Sequence, residues 1–103
     1  MSGSPFARAA ARLFARLGAQ GVYRFGDGRA VPVQLITRQV DVIESFGQSR
    51  LAVDTQRFDV QAAEVAQPVE GDILTLHGNS YRVIGAPLAD RERLVWTLTG
   101  ASL

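Results

Sequence analysis

The sequence predicts a mainly β protein, a small antiparallel β-barrel or sandwich preceded by one N-terminal amphipathic helix. Apolar residues recur at helical spacing before residue 18. From residue 21 onward they recur at every second position, in short runs separated by glycine, proline and polar turn residues. The 103 residues are 47% apolar, which is enough for one modest core. Several short strands of this kind typically build a sandwich or a small barrel.

The N-terminal segment carries the signals of a helix over about 5–17. Ser4 suits the N-cap, Pro5 suits the first helical position, and Gly18 is a natural terminator. One face is apolar and another carries arginines at intervals of four. The two sets are Phe6, Ala10, Leu13, Phe14 and Leu17, and Arg8, Arg12 and Arg16. This helix either packs on the core with solvated arginines or is an arm that docks on a neighbouring subunit. We expect residues 1–20 to form the arm and 21–103 a single barrel domain.

Alternating residues locate the first strands. The run GVYRF at 21–25 precedes a Gly26-Asp27-Gly28 turn, and a second strand follows from residue 31. Pro32 cannot donate to a ladder, so this strand lies at an edge or starts late. Alternation at 40–43 and 57–62 predicts further strands, with a polar loop at 45–50 between them.

The clearest hairpin covers 72–84. Gly78-Asn79 is predicted as its two-residue turn, so that Leu76 faces Tyr81. The same register pairs His77 with Ser80 and Leu74 with Val83. One apolar face then contains Leu74, Leu76, Tyr81 and Val83.

The closing segment contains a connection and a last strand. After Pro87, the run LADRER is predicted as a polar connection. The run LVWTLT then places Leu94, Trp96 and Leu98 on one face, with Trp96 in the core.

Residues suited to catalysis are sparse. The chain has no cysteine and one histidine, His77, which lies beside the predicted turn. Asp72 follows Gly71 and is explained by turn chemistry. The chain contains neither a nucleophile elbow nor a phosphate loop nor a dinucleotide fingerprint. We therefore predict a protein that is not an enzyme, with no catalytic residue, no metal site and no cofactor.

The charge balance argues against a strong field for nucleic acid. Eleven basic residues, all arginine, oppose ten acidic ones, for a net charge of +1. Arginine is favoured at protein interfaces, although a GC-rich genome produces the same composition. Pieces of a single-strand-binding face exist in Tyr23, Phe25, Tyr81 and Arg82. No run approaches 18 consecutive apolar residues, so no membrane partner is expected.

Two motifs carry a resemblance to a known family. The first is P-x-x-G-D-x-L-x-x-x-G-x-x-Y-x-V from Pro68 to Val83, and the second is D-x-x-x-x-x-W-T-L from Asp90 to Leu98. With the helix that precedes them, they resemble the lambda-type head–tail joining proteins of tailed phages and prophages, also called stopper or head-completion proteins. The likeness covers about residues 20–99.

The resemblance implies a non-enzymatic virion protein at the head–tail connector, made in the bacterial host cytoplasm. Copies, about six in the usual arrangement, would form a homo-oligomeric ring beneath the portal that closes the DNA channel. Its partners would be portal or adaptor and tail-terminator proteins, with packaged DNA nearby but without sequence readout.

The family's mobile N-terminus and assembly loop match residues 1–20 and 44–56 in this sequence. By residue type and expected exposure, six side chains are predicted to contact partners. They are Arg8, Arg12 and Arg16 on the helix, and Phe46, Gln48 and Arg50 on the loop.

Other functions stay open on the residues alone. The protein would equally suit a tail-terminator or adaptor role in the same particle. From another class, it would suit a host single-stranded nucleic-acid-binding β-barrel, whose binding would weaken with salt. A hydrolase or sugar-binding module would need a pocket of convergent polar groups, for which the sequence offers no candidate set.

Overall fold

The computed structural model describes residues 5–38 and 55–103. These residues form one helix and six strands: α1 (Pro5–Leu17), β1 (Ala19–Arg24), β2 (Ala30–Arg38), β3 (Thr55–Gln61), β4 (Ile73–Leu76), β5 (Asn79–Ala89) and β6 (Val95–Ser102). The strands close into an antiparallel barrel in the order β1-β2-β3-β6-β5-β4, with β4 pairing back onto β1. The predicted mainly β class is confirmed, and the barrel is the form adopted. The expected strand at 40–43 and loop at 45–50 fall outside the described residues.

The helix has the bounds that its local signals predict. α1 begins at Pro5 and ends at Leu17, and the Gly18 N–H donates to the Phe14 carbonyl oxygen at 2.8 Å. β1 starts directly afterwards at Ala19, so no linker separates the helix from the barrel. α1 lies against β2 and β3.

Alternate residues of the strands point inward and form one core. The fully buried side chains of the strands are Tyr23, Val33, Leu35, Phe58, Val60, Leu74, Val83 and Leu98, and Val65 of the β3–β4 connection packs with them. Burying a side chain of this size contributes about 1.5–3 kcal/mol, so the inward face of the barrel supplies the main stabilisation. The rings of Phe58 and Tyr81 meet edge to face with centroids 5.0 Å apart.

Pro32 lies where a missing N–H does little harm. It pairs with Val22 of β1, and β2 pairs with β3 only from Leu35 to Arg38. At Pro32, within the described residues, the strand therefore has a paired neighbour on one side only. β2 as a whole pairs with both β1 and β3 in a closed barrel, so the predicted position at an edge is wrong. The late start is wrong, because β2 begins at Ala30.

The β4–β5 hairpin differs from its predicted register. Leu76 pairs with Asn79 and Leu74 with Tyr81, so the loop is His77-Gly78 rather than Gly78-Asn79. Both loop residues have positive φ, 53° for His77 and 83° for Gly78, as a type I′ turn requires. When the two-residue loop moves by one position, each residue of β4 pairs with a residue of β5 that lies two positions earlier in the sequence. The predicted apolar face is therefore kept while its pairs change.

β5 continues past the expected break at Pro87. The ladder to β6 shifts register between Ile84 and Leu88 and then resumes, so β5 ends at Ala89. A bulge of this kind absorbs a proline that a regular ladder would exclude. The predicted connection from residue 88 is therefore wrong for Leu88 and Ala89. Trp96 packs against the core but remains partly exposed.

Candidate interaction surface

The described residues hold little that suits catalysis. Within 5–38 and 55–103, no group of histidine, aspartate and glutamate side chains is placed to hold a metal ion. His77 is exposed on the β4–β5 turn. Asp72 is the buried charged residue of this part of the chain, and its environment decides whether it acts chemically or structurally.

Asp72 joins three parts of the barrel. Its carboxylate accepts hydrogen bonds from the Tyr23 hydroxyl of β1 and, at 3.1 Å, from the Val69 N–H. Its backbone carbonyl accepts from the Val83 N–H of β5 at 2.8 Å. The hydrogen bonds of the carboxylate therefore hold the 62–72 connection against β1. Its role is structural and extends beyond the turn chemistry that the sequence suggested.

Tyr23 responds to the same contact. Burial, and after it the hydrogen bond and the negative charge of Asp72, raise the pKa of the Tyr23 hydroxyl well above its ordinary value of 10.0. The folded chain therefore keeps this proton at a pH where the unfolded chain loses it.

We expect the barrel to lose stability as the pH rises above about 10, by up to roughly 1.4 kcal/mol per pH unit. The contribution of Tyr23 is complete below its unfolded pKa and is lost toward its raised folded pKa. The chain has neither lysine nor cysteine, so few other groups titrate in this range. Urea unfolding at several pH values between about 9 and 11.5 measures the slope. Tyr23→Phe should flatten it, and equal slopes for the two proteins would contradict the assignment.

The exposed side of α1 is the most distinctive surface of the described chain. Phe14 alone among its residues is buried, at 1% exposure. Phe6, Leu13 and Leu17 remain 60%, 48% and 63% exposed. We call these three residues the α1 stripe. The chain itself therefore covers only part of the apolar face that the sequence predicted.

The arginines of α1 lie beside the α1 stripe. Arg8, Arg12 and Arg16 are all exposed. A shallow depression of about 230 Å³ is lined by Ala9, Arg12, Leu13 and Arg16, so apolar and cationic groups share its walls. A partner that covers the stripe also meets the guanidinium groups.

Charge is distributed unevenly between helix and barrel. α1 carries three arginines and no acidic residue. Residues 19–38 and 55–103 carry seven arginines and seven acidic residues, so the described barrel is neutral overall. Two of its ion pairs are Arg29–Asp27 at 2.9 Å and Arg38–Asp59 at 3.6 Å. The excess positive charge of the described chain lies on α1.

The other predicted site residues have different outcomes. Phe46, Gln48 and Arg50 lie outside the described residues. Of the side chains offered for base stacking, Tyr23 is buried, Tyr81 packs on Phe58, and Phe25 lies under the Arg29 guanidinium at 4.6 Å. Arg82 is exposed. These side chains do not form the free aromatic face that single-strand binding needs.

Sequence reasoning missed the Tyr23–Asp72 contact. Its partners are 49 residues apart, and alternation alone placed Tyr23 on a face without deciding which way that face pointed. The available signal was chemical, since a buried tyrosine hydroxyl needs a hydrogen-bond partner.

A closed barrel with an exposed, cationic, apolar arm belongs to the class of small modules that act through surface contacts. The family described as Phage Head-Tail Attachment protein matches residues 3–100. The chain belongs to this family, which confirms the resemblance found in its motifs. It is a structural phage protein that links head and tail, a virion component that contacts parts of both.

No curated protein and no solved structure matches the chain. Among the described residues, the length and composition of the helix do not suit it to crossing a membrane.

Proposed function

We propose that the protein completes the DNA-filled head as a ring of identical subunits, closes the DNA channel and offers the tail its attachment surface. In this role it performs no enzymatic reaction. The observation that carries the proposal is the α1 stripe, because a chain that worked alone would gain nothing by leaving three large apolar side chains in water. Family membership supports the location at the head–tail connector.

A ring of identical subunits requires two different patches that meet. The α1 stripe is one exposed apolar patch. Ile84 and Leu88 form another, on the outer face of β5, with 37% and 66% exposure. Two apolar patches on separate elements suit a head-to-tail ring, and we propose about six copies, the number that the family resemblance implies.

Burial of the α1 stripe on docking contributes modestly to the free energy of association. Covering each of the three stripe residues contributes about 1.5–3 kcal/mol. Association itself opposes this by at least about 4 kcal/mol of lost translational and rotational freedom. The arginines add charge-assisted hydrogen bonds to partner carboxylates. We propose that six side chains contact portal or adaptor and tail-terminator proteins. They are Arg8, Arg12 and Arg16 of α1, and Phe46, Gln48 and Arg50 of the segment 44–56.

Reversing the helix charges tests this proposal. In a phage that carries Arg8→Glu, Arg12→Glu and Arg16→Glu together, we expect tailed particles to fall by at least about tenfold, which corresponds to roughly 1.4 kcal/mol of lost interaction. Electron microscopy of lysates counts tailed and tailless heads. Leu13→Glu with Leu17→Glu should act in the same direction, since both side chains are exposed and neither belongs to the barrel core.

The matched control reverses three exposed barrel arginines, Arg57, Arg82 and Arg91. It changes the net charge equally and should leave most heads tailed. Normal tail attachment by both helix variants would remove α1 from the interface.

A further inference from the structure

Three connections meet at one end of the barrel. In this antiparallel barrel the β1–β2, β3–β4 and β5–β6 connections all lie on the same side. Two cavities there, of about 380 and 630 Å³, share Ala66 and Gln67. Phe25 and Arg29 line one side, and Arg93 and Trp96 line the other. We call this continuous depression the end groove.

The floor of the end groove is held in place. Pro68 lines the groove and is buried, and Val65 of the same connection is anchored in the core. The Val69 N–H is fixed by the Asp72 carboxylate at 3.1 Å. Val69 itself is 53% exposed and presents its methyl groups to the groove. A preformed floor lowers the ordering that a bound segment would require.

Two local irregularities lie on the same wall. The Trp96 Nε1–H is shielded from solvent, and within the described residues it has no hydrogen-bond partner. Arg93 has φ of 58°, a conformation in which glycine is favoured over any branched residue. Each feature destabilises the free barrel. Of the two, only Arg93 presents its polar group to the groove, and an arginine kept where glycine is favoured points to a ligand that needs this side chain.

The charges of the end groove select the ligand. Arg29 is already paired with Asp27 at 2.9 Å. Arg93 forms no ion pair with any residue in 5–38 or 55–103, and its loop is held by its own N–H donating to the Asp90 carbonyl at 3.0 Å. The Arg93 guanidinium is therefore free to pair with a ligand, and it lines the same cavity as the exposed Val69.

We propose that the end groove binds an extended acidic segment of a neighbouring protein in the particle. A carboxylate of that segment pairs with the Arg93 guanidinium, and the segment packs across the Trp96 side chain that lines the groove. An apolar side chain beside the carboxylate covers Val69. The inference rests on the proposed function, because it supplies one of the contacts by which the protein joins its neighbours.

A protein segment fits better than a nucleic acid strand. Base stacking needs a free aromatic face, but Phe25 packs on Tyr23 at 5.0 Å and is covered by Arg29 at 4.6 Å. Polyanion binding also needs a basic field, whereas the described barrel has seven arginines against seven acidic residues.

Arg93→Gly separates binding from folding. Glycine suits the backbone at this position, so the thermal midpoint of the purified variant should equal or exceed that of the wild type. Tailed particles should nevertheless fall by about tenfold when a phage carries it. Arg93→Asn, which also tolerates positive φ, should behave alike. Arg91→Ala removes the same charge from the same loop outside the groove, and should leave tail attachment normal.

The outcomes distinguish this inference from the proposed function. If both Arg93 variants attach tails normally while reversal of the α1 charges abolishes attachment, the end groove is not a contact and the proposed function stands. If deleting the whole protein leaves tail attachment normal, the proposed function itself fails. A gel shift of a 30-nucleotide oligo(dT) that Arg93→Gly abolishes would assign the groove to nucleic acid and overturn the proposal.

Discussion

Replacing Asp72 by alanine is expected to destabilise the barrel by about 2–6 kcal/mol, since two donors lose their acceptor at about 1–3 kcal/mol each. Those donors are the hydroxyl of Tyr23, which is fully buried, and the Val69 N–H. The 62–72 connection would also lose its tie to β1. The change is measured as the shift in free energy of unfolding by urea.

Two comparisons make the result specific to the buried contact. Asp59→Ala removes a half-buried carboxylate that accepts from the Thr97 hydroxyl at 2.9 Å, and should have the smaller effect. Tyr23→Phe combined with Asp72→Ala should destabilise less than the sum of the single changes, because the two side chains share one hydrogen bond. If the effects were additive, or if the Asp72→Ala protein were as stable as the wild type, the Tyr23–Asp72 contact would not stabilise the barrel.

Gly21→Ala is expected to be equally severe, at about 3 kcal/mol, near the upper end of overpacking effects. A Cβ at this position would lie 2.6 Å from the Thr75 backbone oxygen and 2.9 Å from Leu35 Cδ1. A side chain can turn away, but the Thr75 oxygen belongs to β4. Since β1 and β4 pair to close the barrel, relief of the clash requires opening the closure itself.

Thermal unfolding measures this effect. A loss of about 3 kcal/mol corresponds to a fall of about 15 °C in the midpoint for a domain of this size. Gly26→Ala is the matched control, because the nearest atom to its added Cβ is Asp72 Oδ1 at 3.9 Å. Equal melting of Gly21→Ala and Gly26→Ala would show that β1 and β4 separate without loss, contrary to a closed barrel.

Local signals explain which elements the sequence predicted well. Pro5 and Gly18 bracket α1, and both act on the backbone within one turn. Alternation separated the two faces of each strand, although for β1 it did not decide which face points inward. Exact pairing was less accessible, because His77-Gly78 and Gly78-Asn79 both place glycine in a two-residue turn. Pro87 signalled a break that the bulge in β5 absorbs.

The candidate surface was predictable only in part. The pattern of α1 identified its arginines as a separate face, but it did not decide whether Phe6, Leu13 and Leu17 pack on the barrel. That depends on the angle between the axis of α1 and the strand β1 that follows it, and no residue of α1 specifies this angle. The end groove was not foreseen, because Trp96 was expected in the core and Arg93 in a solvated connection.

By itself the sequence determined the mainly β class, the single helix of the described chain, the alternation of two faces along the strands and the family motifs. Each of these depends on neighbours within a few residues or on a repeating period. The tertiary structure alone decided the closure of β1 against β4, the contact of Tyr23 with Asp72 across 49 residues, and the exposure of the α1 stripe. These features depend on where segments distant in sequence meet. The path of the backbone in three dimensions decides this, and local conformational preference does not.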